Sequence, residues 1–590
     1  MNTTLKRIFN LTAISIKGKG GRIAILYCVI VLLLNLSEIF LALKMIHWNK
    51  DFYSALEKYD GLGALYQIGV FAVITGINSF QFLVASYIRQ LIQMKWRTTL
   101  TDCMLKRWFD HKVYWHMQMD TQSTMDNPDQ RISEDCRIFV ERLTGRGLDL
   151  FTSLVGLSTY AFLLWKLSDF PLSIPWGDRE IVIHHYLIIA APIYVLISSG
   201  LTHWMGAPLM RLNVISQHRE ADMRFALARL RESKEAVALE NGEGAERHII
   251  DQRYKQILSN WKQRMNREFI LGIFTRPYYM TVLRIPLFLA FPAYLMGHVT
   301  LGGLMQLGSA FTRLVTTLSW FIFSYRELAE LSATARRLGD FIEETDAIAA
   351  AEVEKRVKIV KSFDQALHIR DLWVDTPSGE SLIHINCLDI NPGETVWING
   401  PSGIGKSTLI KALSGIWRYC EGNIQIPPGK IYFSPQKVYL PLGSLAECVC
   451  YPESLGDIAR IQQILSRVGL NEDRHIQQLE QKTALDDDYR LSGGEQQRLQ
   501  IARILYAAPD WVVLDEATSS LDRQAENDLY RIIREQLPHS GIIVIAHREP
   551  KGLGEVREFN LWPASRKNGI KKESEADGLR NRLESTFKVA

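Results

Sequence analysis

The sequence predicts a multi-domain chain: an all-α transmembrane domain of six helices, followed by an α/β domain built around a phosphate-binding loop. Three observations predict it. Nearly all long apolar runs lie before residue 327, and several are long enough to cross a bilayer as helices. The stretch Gly400-Pro401-Ser402-Gly403-Ile404-Gly405-Lys406-Ser407-Thr408 fits the pattern G-x-x-x-x-G-K-[S/T], and a strand-like run precedes it and a helix-like run follows it. Basic residues gather in two of the segments between the apolar runs, as in a membrane protein with a fixed orientation.

The chain has 590 residues and is 47% hydrophobic. Its net charge of +4 gives no general attraction to nucleic acid, and none is expected as a partner. Seven cysteines are scattered without a C-x-x-C pair, so reduced, structural thiols are expected. The boundaries read from composition are a basic N-terminal segment 1–22, a membrane domain 23–326, a helical connector 327–361, the α/β domain 362–563, and a polar tail 564–590.

The first apolar run, Ile23–Met45, is too long for a cleavable signal and lacks a small-residue cleavage site, so it is expected to remain as an anchor. Gly61–Ile88 carries no Asp, Glu, Lys or Arg and makes the second span. Leu148–Leu167 is a third, with Asp149 and Lys166 near its ends, and Ile181–Met210 a fourth. Phe269–Tyr325 supplies two more, the turn between them bracketed by Gly297-His298 and Gly302-Gly303. Prolines 277, 286 and 292 predict a kinked or broken fifth span. The loops after the second and fourth spans hold most of the arginines and lysines. The positive-inside rule therefore puts both termini and these two loops in the cytosol, where they read as helical extensions of the spans. Charges inside spans are costly. Glu38 shares a helical face with Asn35, Arg276 and Arg284 fall in the fifth span, and Arg313 in the sixth. They either line a polar cavity or pair between helices and snorkel.

In the α/β domain, the glycines let backbone N–H groups turn toward phosphate oxygens. Lys406 is placed to neutralise the β- and γ-phosphates and Ser407 to ligate Mg²⁺. Trp511-Val-Val-Leu-Asp515-Glu516 reads as a buried strand ending in two carboxylates, one suited to a metal and one to polarising water. Leu491-Ser-Gly-Gly-Glu-Gln-Gln-Arg498 opens a helix whose free N–H groups suit a γ-phosphate. Gln436 and His547 each follow a strand and so fall at the ligand edge of a parallel sheet.

Gly400–Ser407, Gln436, Leu491–Arg498, Val512–Glu516, Ser519-Ser-Leu-Asp522 and His547 together resemble the motif set of an ABC transporter ATPase domain. Within the membrane half, Trp48–Leu56, Asp126–Asp135 and Glu235–Gly242 resemble the BacA/SbmA-like transporters and the related peroxisomal acyl-CoA (ABCD-type) transporters, as does Pro435–Gly443 with Tyr451-Pro452 in the ATPase half. The resemblance implies an exporter-type ABC fold working as a homodimer in the bilayer, with ATP and Mg²⁺ as cofactors. Gly400, Ser402, Gly403, Gly405, Lys406, Ser407 and Thr408 would hold the phosphates, and Ser407, Gln436 and Asp515 the metal. Glu516 would be the general base and His547 the γ-phosphate switch. Ser492, Gly493 and Gly494 would touch nucleotide held by the partner copy, and Arg131 and Glu235 would couple the two halves. One departure stands out: Thr376-Pro377 occupies the place of the aromatic that stacks on adenine, and Trp373 is three residues off. The expected function is ATP-driven movement of a bulky hydrophilic solute, a peptide or cobalamin-like molecule, in a bacterial inner (plasma) membrane. Transport of an acyl-CoA or similar anion through Arg276, Arg284 and Arg313 is the alternative. A soluble ABC ATPase acting on nucleic acid or ribosomes is disfavoured by the six apolar spans.

Overall fold

The computed structural model describes residues 2–18, 21–119, 127–176, 179–281, 284–353, 357–361, 364–441, 443–470 and 491–564. Asp126, Ser362, Leu442 and all but the first residue of the polar tail lie outside them. The chain forms two compact units. One holds the membrane helices to Thr345, and the other the α/β domain together with the segment that begins at Asp110.

Among the described residues, four helices are long and apolar enough to cross a membrane: within Gly21–Glu57, Gly61–Phe109, the stretch ending at Leu167, and Tyr186–Glu232. Their apolar faces are mostly open on the single chain, with Phe80, Phe162 and Leu196 exposed, as lipid or a second copy would require. The fourth begins five residues later than the charge-free run suggested. Arg179–Ile183 instead pairs antiparallel with Leu172–Trp176, because Ile181-Val-Ile is a β-branched run next to an acceptor strand. The fifth is broken as the prolines required. Helix Glu243–Thr281 contains Pro277, and a new helix, Ile285–Leu295, starts with Pro286 in its first turn. Leu301–Phe323 follows after the Gly297 turn.

The segment Trp48–Leu56 locks three helices together at the end of the first span. Trp48 Nε1 donates to the Gln67 carbonyl at 2.7 Å, and Asn49 Nδ2 to Ser309 Oγ at 2.9 Å. Glu57 caps Leu301 N at 3.2 Å. Gly302 has to be glycine here, since a Cβ would lie 2.3 Å from the Lys50 carbonyl.

Several arginines counted for orientation are also structural. Asp149, at the head of the third span, takes Arg89 at 2.9 Å. Arg142 and Arg146 both bind Glu327. Asp135 is almost fully buried and accepts from Arg131 at 3.0 Å and from Arg337 at 2.6 and 2.8 Å. That carboxylate joins the loop after the second span to the long helix Tyr325–Val353.

In the α/β unit, five parallel strands run in the order Val556–Asn560, Thr395–Asn399, Gly541–Ile545, Trp511–Asp515, Ile431–Ser434. The three central ones are apolar on both faces. Val512, Leu514, Ile542 and Val544 pack on one side, against the helix Gly493–Ala507. Trp511, Val513, Ile543 and Ile545 pack on the other, with the phosphate-loop helix Lys406–Leu413 and a second, mostly antiparallel sheet. This is the two-period alternation of strands buried on both faces. The second sheet includes Val357–Lys361, paired parallel with Cys420–Ile426. Those residues were expected to be helical connector. Val-Lys-Ile-Val-Lys alternates with the strand period, and an open edge was there to take it.

Replacing the carboxylate of Asp135 strands two guanidinium groups. Asp135→Ala is expected to destabilise the membrane unit by about 3 kcal/mol, read as a lower melting temperature of the detergent-solubilised protein. An unchanged melting temperature would contradict the structural role given to this cluster.

Candidate nucleotide site

The register of the parallel sheet assembles the site. Ile545 pairs with both Ile398 and Asp515, and Ser434 with Leu514. The residues that follow each strand therefore emerge along one edge: Gly400, His547, Glu516 and, after Pro435, Gln436. Each strand ends there because its apolar run gives way to a polar residue or glycine.

Within the phosphate loop, Gly400, Gly403 and Gly405 all have positive φ. Lys406 Nζ folds back over the loop and donates to the carbonyl of Gly400 at 2.7 Å and of Pro401 at 3.2 Å. Gly400 N–H is tied to Asn399 Oδ1 at 2.8 Å, and the N-terminus of Lys406–Leu413 faces an anion position. Ser407 Oγ donates to Asp515 Oδ1 at 3.1 Å. Burial pushes the Asp515 carboxyl above its ordinary range, offset in part by the Ser407 hydroxyl and by Lys411 and Lys406. A hydroxyl and a buried carboxylate in contact at the mouth of a phosphate loop fit a hard divalent cation that keeps several waters.

Glu516 is the first residue past its strand and has φ 48, a conformation few non-glycine residues adopt. Its N–H is held by the Ile545 carbonyl at 3.0 Å. Its carboxylate lies between two side chains: Gln436 Nε2 donates to Oε2 at 2.6 Å, and His547 Nε2 lies 3.2 Å from Oε1. Residues brought together by the three strand ends thus fix both carboxylate oxygens. Ser492 caps the helix Gly493–Ala507 in a reciprocal box with Glu495. That leaves Gly493 and Gly494 in its first turn, beside Ser520 and Leu521.

Several supporting residues were missed in the sequence. Gln497, Gln500 and Arg503 are all buried on the helix Gly493–Ala507 at spacings of three. Gln497 bonds Ser519 Oγ, Ser520 Oγ and Ser520 N. Gln500 bonds the Pro435 carbonyl at 2.9 Å, next to Gln436. Arg503 holds the carbonyls of Tyr439 and Cys448. Trp397 Nε1 holds the Ala546 carbonyl at 3.0 Å, just before His547. The available signal was a row of polar residues on one face of a helix otherwise built for a core.

The expected coupling residues lie in the membrane unit. Arg131 binds Asp135 there, and Glu235 is exposed on the short helix Lys234–Leu239. The part of the segment after the second span that groups with the α/β unit starts at Asp110, well ahead of Arg131. Within that unit the Lys411 ammonium lies over the Trp115 ring at 5.4 Å and the Trp417 ring at 5.8 Å. Met119 packs on the core beneath the phosphate-loop helix.

Of the four charges in the spans, the structure brings two together. Glu38 and Arg313 line one cavity of about 330 Å³ with Asn35, Asn78, Thr152 and Tyr160. Asn35 Nδ2 donates to Thr152 Oγ1 at 3.2 Å on its wall. A second cavity of about 290 Å³ shares Ala42, Met45 and Arg313 with the first. Arg276 and Arg284 line neither and are exposed elsewhere on the unit, one late in Glu243–Thr281 and the other capping Ile285–Leu295.

Comparison with known proteins agrees with both units. Residues 11–292 match the family model of the ABC transporter transmembrane region 2, and residues 384–519 that of the ABC transporter. The chain is 31% identical over 537 residues to the inner membrane ABC transporter ATP-binding protein YddA of Escherichia coli, covering 90% of this chain and 92% of that one. It is 28% identical over 535 residues to the human lysosomal cobalamin transporter ABCD4, covering 85% of each. The solved structure of a bacterial Atm1-family ABC exporter with ATP bound matches with a TM-score of 0.64 at 16% identity, covering 96% of this chain and 98% of that one, which establishes the exporter fold. Carrying a membrane domain and an ATPase domain in one polypeptide, the chain belongs to the ABC transporters and couples ATP hydrolysis to transport across a membrane.

Proposed function

We propose that two copies of this chain form a homodimer that moves a bulky hydrophilic solute, a peptide or a cobalamin-like compound, across a bacterial inner membrane, with both termini in the cytosol. The observation that carries the reading is the polar cavity of Glu38, Arg313, Asn35 and Asn78 among the membrane helices. A carboxylate and a guanidinium over amide and hydroxyl groups suit a solute with many hydrogen-bonding groups and both signs of charge. About 330 Å³ holds only an arm of such a solute, so the second copy is required to enclose it. The relative named for cobalamin transport supports this solute class, and the inner-membrane relative supports the location. The acyl-CoA reading required Arg276, Arg284 and Arg313 to act as one anion site, and only Arg313 lines the cavity.

The geometry of the strand ends supports a set of residue roles for the ATPase. Lys406 and the N–H groups of Gly400–Thr408, with the Ser402 side of the loop, cradle the phosphates. Ser407 and Asp515 hold Mg²⁺ with Gln436 at its edge, and the ion supplies neutralising charge when bound. Glu516 accepts the proton of the attacking water, while His547 and Gln436 keep its carboxylate oriented. Ser492, Gly493 and Gly494 present their helix N-terminus to nucleotide on the other copy. Neither copy completes a site alone.

Glu516→Gln is expected to keep ATP binding and lower hydrolysis by at least a hundredfold, with nucleotide-trapped dimers visible by size-exclusion chromatography. Turnover at the parental rate would remove Glu516 as the base. Arg313→Glu and Glu38→Lys are each expected to abolish the stimulation of ATPase activity by cobalamin or a hydrophilic peptide in liposomes. If stimulation by both survives in both variants, the cavity is not the solute site.

A further inference from the structure

ATP needs a surface for its base, and the usual position offers none. Thr376 closes a tight turn, its Oγ1 bonded to Ser378 Oγ at 2.7 Å and to Glu380 N at 3.0 Å. Trp373 is already used: its ring stacks on His384 at 3.8 Å between centroids, and its Nε1 donates to Asp371 at 3.2 Å. Trp417 is buried, and its Nε1 donates to the Asp375 carbonyl at 3.0 Å. None of these presents a free aromatic face.

Another aromatic stands beside the loop. After the edge strand Val556–Asn560, the chain crosses from the phosphate-loop strand to the start of Ser381–Ile390. Leu561 N donates to the Asn399 carbonyl at 2.8 Å, Pro563 bridges to Ile383, and Ala564 N donates to the Leu382 carbonyl at 3.1 Å. This crossing and the strand it joins both lie against the phosphate loop. A Cβ on Gly400 would meet the Leu561 carbonyl at 3.1 Å, and one on Gly405 would meet Leu382 at 3.3 Å. Leu561 is buried, and the next residue faces outward. That residue is Trp562, 72% exposed. A tryptophan left this open is a large apolar surface for which the fold of the single chain has no use.

We propose that Trp562 is the base-stacking residue of this ATPase, taking the purine of the nucleoside triphosphate whose phosphates sit in Gly400–Thr408. The assignment puts the aromatic on the crossing that follows the edge strand, next to the residues that meet Leu382 and Ile383. Its indole supplies a flat π-face, which is what base stacking requires.

The test uses the full-length protein in detergent or liposomes. Trp562→Ala is expected to raise the KM for ATP roughly tenfold or more, the loss of one base–aromatic stack, with kcat at saturating ATP retained. Trp562→Phe should restore most of the affinity. Inhibition by tripolyphosphate, which has no base, should be the same in the Ala variant as in the parent. Photolabelling the parent with 8-azido-ATP should modify the peptide that contains Trp562. An unchanged KM in Trp562→Ala, weakened tripolyphosphate inhibition, or labelling confined to the peptide around Trp373–Glu380 would overturn the proposal.

Discussion

The structure depends most on where the parallel strands of the ATPase sheet stop. Strands paired residue for residue, buried on both faces, end at a common level, and the chain turns polar immediately beyond. A one-residue slip in Trp511–Asp515 would carry Asp515 away from Ser407 and turn Glu516 out of reach of Gln436 and His547. The left-handed backbone of Glu516 is tolerated because its N–H is tied to Ile545 and both its carboxylate oxygens have partners. Core packing and site geometry are therefore the same constraint seen from two sides of the strand.

The helix Gly493–Ala507 extends that constraint across the domain. Its N-terminal glycines belong to the surface proposed to meet a second copy. Its buried face grips the segment before Gln436 through Gln500 and the Ser519–Ser520 segment through Gln497. A shift of this helix would move both segments with it. Buried polar side chains that bond several backbone and hydroxyl groups link those segments to the helix. In the membrane unit Asp135 has a comparable place, joining the loop after the second span to the helix Tyr325–Val353 through two guanidinium groups.

Much of the nucleotide site was legible in the sequence because its chemistry is local. A phosphate loop needs its glycines, lysine and hydroxyl in one short run, and Asp515 and Glu516 are neighbours at the end of an obvious apolar strand. Features made by distant segments were not legible. The meeting of Glu38 with Arg313, the grouping of Trp115 with Lys411, and the anchoring of Pro435 by Gln500 depend on packing that spacing does not encode. Composition and periodicity disagree in two places. Val357–Lys361 has the charge of a connector but the alternation of a strand, and Ile181–Ile183 has the apolar look of a span but ends a hairpin. In both, a short β-branched run found an edge to pair with, and lack of charge or proximity to a helix was a weaker signal.

Hydrolysis at these strand ends is proposed to drive a hydrophilic solute through the membrane unit. The most direct measurement is uptake of labelled cobalamin or peptide by liposomes containing the purified protein, with ATP and Mg²⁺ supplied on one side. ATP-dependent accumulation that stops when ATP is replaced by a non-hydrolysable analogue is the predicted result. Movement of either solute at the same rate with and without hydrolysis, or no movement of either while ATP is consumed, would contradict the account.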